Sequence, residues 1–139
     1  MRKALLTVLA VLLTANAHAN EPLDIVIYGA TGEVGSHVVL EALDRGHNVF
    51  AVSRDPATVE MRHDNLTVVK ADLDDRASVD ETVAGKDVVI LSIRGVIGDS
   101  GSPESALQYI AAETLVDLLF TMGPNAPRLI HVGGSGSLD

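Results

Sequence analysis

Residues Gly29-Ala30-Thr31-Gly32-Glu33-Val34-Gly35 place three glycines three apart, after the apolar run Asp24 to Tyr28 and before a helical pattern. Glycine at 29 permits a tight turn, at 32 a close approach of backbone to a ligand, and at 35 close packing of helix on strand. The amides around Thr31, Glu33 and Val34, at the start of that helix, are then free to meet an anion, with the helix dipole adding to the attraction. Residues 24 to 54 therefore read as a β-α-β unit whose loop cradles the pyrophosphate of a nicotinamide dinucleotide.

The second strand of that unit ends in Ser53-Arg54, where the adenosine ribose is expected. An acid there would take the 2′-hydroxyl of NAD, whereas a hydroxyl and a guanidinium suit a 2′-phosphate, so the reading favours NADP over NAD. Asp55 argues the other way unless it caps the next turn. Asp72 and Leu73 follow the third strand and would lie beside the adenine, although Asp72 to Asp75 also suits a cap for a helix at Arg76. Ser92 and Gly95, at the end of the fourth strand, would pass near the ribose and nicotinamide. Arg94 between them is read equally as a substrate or phosphate contact and as a solvated side chain.

Catalytic residues are harder to find. His131 is the candidate that the strands offer, and a lone histidine inside a strand is more often a hydrogen-bonded core or edge residue. His37 and His47 fall on surface helix or turn positions. The chain has no cysteine, and its histidines and acids show no metal-ligand spacing. A formal charge of −9 leaves no basic surface for a nucleic acid.

Five short runs rich in Val, Ile and Leu are expected as strands: Asp24 to Tyr28, Asn48 to Ser53, Leu66 to Lys70, Asp87 to Ile93 and Arg128 to Val132. Helical patterns between them predict a parallel, doubly wound α/β sheet, with the third and fourth strands buried on both faces. Glu33 to Arg45 and Arg76 to Ala84 are expected to end at left-handed Gly46 and Gly85. A third helix starts at Ser102-Pro103-Glu104, with an inner face of Leu107, Ile110, Ala111, Leu115, Leu118 and Met122. A short helix at Asp55-Pro56 is a weaker expectation. Two glycine-serine stretches, Gly95 to Ser102 and Gly133 to Ser137, follow strands at the carboxyl edge, where such sheets bind ligands.

Residues 1 to 19 differ from the rest. Arg2-Lys3, the apolar run Ala4 to Leu13 and the ending Ala17-His18-Ala19 have the three parts of a cleavable signal peptide, cut after Ala19. This predicts a periplasmic or secreted domain of residues 20 to 139, with no stable membrane span after cleavage.

Three segments, Ile27 to Gly35, Val52 to Pro56 and Thr82 to Val89, together resemble the atypical short-chain dehydrogenase/reductase group of NAD(P)H-binding proteins. The similarity is closest to the flavin reductase and biliverdin reductase B type and to NmrA-like proteins, and it covers residues 24 to 139. It implies a Rossmann sheet in the order 3-2-1-4-5 and hydride transfer from NADPH to a flavin, a quinone-like molecule or another small planar acceptor. Two departures stand out. The Tyr-x-x-x-Lys pair of that superfamily is missing, since Tyr109 is followed four residues later by Glu113, and the serine that the resemblance implies at the end of the fifth strand aligns with Gly134, which leaves the adjacent Ser135 as a catalytic candidate. The chain also stops in the loop after the fifth strand, where relatives continue. A reductase, a non-catalytic dinucleotide sensor, and a short, inactive member that self-associates through an unfinished sheet edge are the readings these features support.

Overall fold

A computed structural model describes residues 21–94 and 107–133. Five strands, β1 (Asp24–Tyr28), β2 (Asn48–Ser53), β3 (Leu66–Lys70), β4 (Val88–Leu91) and β5 (Arg128–His131), form one sheet. All pairs are parallel, in the order β3-β2-β1-β4-β5. This is the Rossmann-type order that the resemblance implied. Among the described residues, three α-helices accompany the sheet: α1 (Glu33–Asp44), α2 (Arg76–Val83) and α3 (Leu107–Met122). The expected signal peptide, the helix start at Ser102-Pro103-Glu104, and the loop candidates Gly95 and Ser135 lie outside the described residues.

Alternation along β1 divides the core in two, as the two-residue period of a strand requires. Ile25 and Ile27 pack against Val39, Ala42 and Leu43 of α1. Val26 and Tyr28 face the opposite layer, with Val79 and Val83 of α2 and Ala111, Leu115 and Leu118 of α3. Val26 and Ile27 have no exposed surface, which marks β1 as the centre of the molecule.

Two expectations about burial are corrected. β4 is buried throughout, but β3 is only half-buried, because it is the edge strand and lacks a neighbour on one side. Its run of Val and Leu resembles that of a central strand, and composition does not separate the two cases. In α3, Ile110 is 38% exposed and does not join the inner face, whereas Leu119 does. That helix is apolar around most of its circumference, so periodicity alone leaves its orientation loose.

Element ends follow local chemistry. Gly46 and Gly85 take φ of +81° and +68° after their helices, as expected. The Asp75 carboxylate accepts from Ala77 N at 3.1 Å and from Ser78 N at 3.4 Å, capping α2. β4 and β5 stop two and one residues earlier than predicted, at Leu91 and His131. β1, the partner of β4, ends at Tyr28, and β4, the partner of β5, ends at Leu91; the bonds Ser92 N to Tyr28 O and Val132 N to Leu91 O, both 2.9 Å, continue the two ladders by one step.

At the amino edge of the sheet a polar network ties three strands together. Asp24 N donates to Asp87 Oδ2 at 2.7 Å, and Asn48 Nδ2 donates to Asp24 Oδ1 at 2.9 Å. Lys86 Nζ lies 3.9 Å from Asp24 Oδ2 and 4.1 Å above the centre of the Phe50 ring.

Candidate functional site

The glycine loop leaves β1 at its carboxyl end. Gly29 turns the chain at φ +79°, and Gly32 N donates back to Gly29 O at 3.0 Å. A Cβ on Gly29 would collide with the Ser92 carbonyl of the neighbouring strand end, and one on Gly35 would collide with Gly29 O and lie 2.8 Å from Gly29 C. Gly35 is buried behind the loop and serves packing, as its spacing suggested. Gly32, preceding α1 in extended conformation, receives no side-chain cap. The first amides of α1 therefore depend on solvent or a ligand for side-chain-like acceptors.

Clefts open on both sides of this loop. The first, about 330 Å³, is lined by Tyr28, Gly29, Thr31, Ser53, Arg54 and Asp55, and also by Asp72, Leu73 and Ile93. The second, about 420 Å³, is lined by Gly32, Glu33, Val34, Ser92, Arg94 and Gln108, and ends at Val132 and Gly133. Ten of the twelve predicted cofactor residues thus line one cleft or the other. Gly35 stands behind them, and Gly95 is outside the described residues.

Electrostatics differ from what an acidic chain suggests. Arg54 lines the first cleft and Arg94 the second, both exposed and neither in an ion pair with a described residue. Asp55 Oδ1 accepts from Ala57 N at 3.2 Å and caps the short 3-10 turn Pro56–Thr58, so the carboxylate is engaged in local structure. Ser53 Oγ accepts from Asp55 N at 3.2 Å and donates to Asp55 O at 2.9 Å, which fixes the bend that carries Arg54. Asp72 Oδ1 accepts from Asp74 N at 3.3 Å, and the capping of α2 falls to Asp75.

Tyr28, Gln108, Val132 and Gly133 were not among the predicted site residues. Nothing in the local pattern marks Gln108, since its role depends on α3 meeting the end of β5. Its Nε2 donates to Val132 O at 3.1 Å and lies 2.9 Å from His131 Nε2. His131 is exposed on β5 and occupied with this contact, the edge reading of that residue; it is not among the residues lining either cleft. Among the described residues no group of His, Asp and Glu is arranged to hold a metal, and no helix is long and apolar enough to cross a membrane.

Tyr28 lines the first cleft, and its hydroxyl is buried without a hydrogen-bond partner among the described residues. Burial pushes the phenol up to about 12; the nearby Thr82 hydroxyl offsets part of this, although Thr82 Oγ1 itself donates to Ser78 O at 2.7 Å. The folded state keeps the proton that the unfolded chain releases near pH 10, so stability falls as pH rises from 10 to 12, by about 2 kcal/mol over that window. Tyr28→Phe is expected to abolish this alkaline loss and to cost little at neutral pH, because no partner is orphaned. Urea midpoints measured at pH 7 and pH 11 check it, and parallel losses in both proteins would contradict it.

Comparison with known proteins agrees with this geometry. Residues 29–139 match the model of a family described as NAD(P)H-binding. Dihydroflavonol 4-reductase of Hordeum vulgare is 29% identical over 126 residues, covering 83% of this chain and 36% of that protein. A candidate exported protein from Burkholderia pseudomallei is 38% identical with a TM-score of 0.63, covering 84% of this chain and 50% of that one. A candidate NADH-flavin reductase from Streptococcus pneumoniae is 28% identical with a TM-score of 0.63, covering 84% and 49%. The chain spans about a third of the length of the curated relatives it matches and about half that of these solved structures.

Proposed function

Because the chain belongs to the NAD(P)H-binding family matched over residues 29–139, we propose that it binds NADPH along the carboxyl edge of its sheet and delivers hydride to a flavin or another planar acceptor. The observation that carries this reading is the glycine loop between two clefts, with Arg54 in one and Arg94 in the other. A dinucleotide crossing the loop puts its adenosine half in the first cleft, its pyrophosphate on the amides of α1, and its nicotinamide in the second. Arg54 is a donor suited to a 2′-phosphate, and the neighbouring Asp55 carboxylate is held in its own turn.

The dinucleotide supplies the hydride; the protein's part is to bind and orient it. Neither Tyr28 nor Tyr109 has a lysine four residues on, so the tyrosine-lysine proton relay is not formed by these residues. An acceptor that stacks on the nicotinamide can take hydride directly and draws its proton from solvent. The similarity to a candidate NADH-flavin reductase supports an acceptor of this kind.

Titration of the purified protein with NADPH and NADH tests the reading. Saturable binding with NADPH preferred, and oxidation of NADPH on addition of flavin or quinone, is the expected result. No saturable binding of either nucleotide overturns it, and tight binding without turnover makes the protein a dinucleotide sensor instead.

We propose also that residues 1 to 19 direct export. The basic, apolar and small-residue parts of that segment support this, as does the 38% identity to a candidate exported protein. Mass spectrometry of the mature protein is expected to give Asn20 as its first residue; a protein retaining Met1 overturns export.

A further inference from the structure

Gln108 occupies an unusual position in the second cleft. It comes from the first turn described of α3, yet its amide reaches the end of β5, bonding Val132 O at 3.1 Å and meeting His131 Nε2 at 2.9 Å. With one amide nitrogen donating to both, His131 Nε2 is the acceptor and the imidazole carries its proton on Nδ1. Two contacts on two adjacent residues hold the amide more firmly than a single exposed bond would, because they fix both its position and its plane.

This arrangement decides what the side chain offers a ligand. Both hydrogens of Nε2 are spent on the protein, so what remains is the acceptor Oε1. The cleft wall that contains Gln108 also contains Ser92, Val132 and Gly133, the strand ends beyond the glycine loop. A ligand group recognised by Gln108 must donate. The carboxamide of a nicotinamide ring is such a group, since its NH2 donates and is planar like the glutamine amide.

We propose that Gln108 is a positioning residue for the nicotinamide carboxamide, accepting its N–H at Oε1 while His131 and Val132 hold the glutamine in place. Fixing the carboxamide fixes the rotation of the ring about its glycosidic bond. It therefore decides which ring face is turned to the acceptor. The inference rests on the dinucleotide reading above and adds to it the orientation of the reacting ring.

The test compares NADP+ with its 3-acetylpyridine analogue, in which a methyl group replaces the carboxamide NH2, and with adenosine 2′,5′-bisphosphate, which lacks the ring. The unaltered protein is expected to bind NADP+ about tenfold more tightly than the acetylpyridine analogue, the value of one hydrogen bond. In Gln108→Leu that ratio falls to about one, while affinity for the bisphosphate is unchanged. His131→Leu, which removes one anchor and leaves the glutamine, shifts the ratio part of the way. A ratio unaltered by Gln108→Leu overturns the proposal, as does an equal weakening of all three ligands, which marks a merely structural role. If the unaltered protein binds bisphosphate and NADP+ equally, the ring is not held and this inference fails while the adenosine site stands. If it binds none of them, the dinucleotide reading fails first and this one with it.

Discussion

Gly29→Ala is expected to abolish dinucleotide binding and to destabilise the fold. The position combines φ +79° with a Cβ path that meets the Ser92 carbonyl and lies 3.1 Å from Ile93 Cγ2. A left-handed alanine costs about 1–2 kcal/mol, and forcing two strand ends apart adds about 1–3 kcal/mol of overpacking strain. Gly85 provides the control, because it has φ +68° and a methyl group added there would meet nothing within 4 Å. Gly85→Ala carries the backbone cost alone and leaves binding intact. The difference between the two urea midpoints then measures the contact, and nucleotide titration measures the displacement of the cradle. Equal midpoints and retained NADPH binding in Gly29→Ala would falsify the account of the loop.

Arg54→Glu is expected to exchange the cofactor preference. Hydrogen bonds from a guanidinium to a phosphate contribute about 1.5–3 kcal/mol, so their loss lowers NADPH affinity by about tenfold to a hundredfold. The new carboxylate adds repulsion toward the 2′-phosphate and can accept from the 2′-hydroxyl of NADH. NADH affinity should therefore hold or rise while NADPH affinity falls. The ratio of the two dissociation constants is the quantity to measure, and an unchanged ratio removes Arg54 from the 2′-phosphate position. Asp55→Asn is a useful companion, because the Asp55 side chain is bonded to Ala57 N and the substitution keeps an acceptor there. It should leave the ratio close to its original value.

Much of this site was legible because each signal was local. The glycine loop is specified by spacing within seven residues, and the bend at Ser53, Arg54 and Asp55 by a serine and an aspartate that bond their own backbone. Left-handed glycines and the Asp75 cap mark helix ends in the same way. What could not be read depends on contacts between distant segments. Gln108 meets His131 across 23 positions, and no property of either residue announces the other. The buried phenol of Tyr28 is similar, since alternation puts it inward but only the packing of α2 leaves its hydroxyl without a partner. Ile110 and Leu119 show a third kind of ambiguity. In a helix as apolar as α3, hydrophobicity identifies the element and leaves its rotation to be settled by the sheet beneath.

The polar ties at the amino edge bear on how the chain reaches this structure. Asp24 bonds Asn48 across 24 positions and Asp87 across 63, so the central strand acquires its two neighbours through loops of very different length. Closing the longer loop costs about 1 kcal/mol more in chain entropy. On loop entropy the β1-β2 pair is expected to form before β4 docks, in a parallel topology rich in non-local contacts. Until β4 docks, one side of β1, including the floor beneath the glycine loop, has no strand beside it. The binding edge is therefore expected among the last parts of the molecule to form, and folding to be slower than that of a helical bundle of the same length.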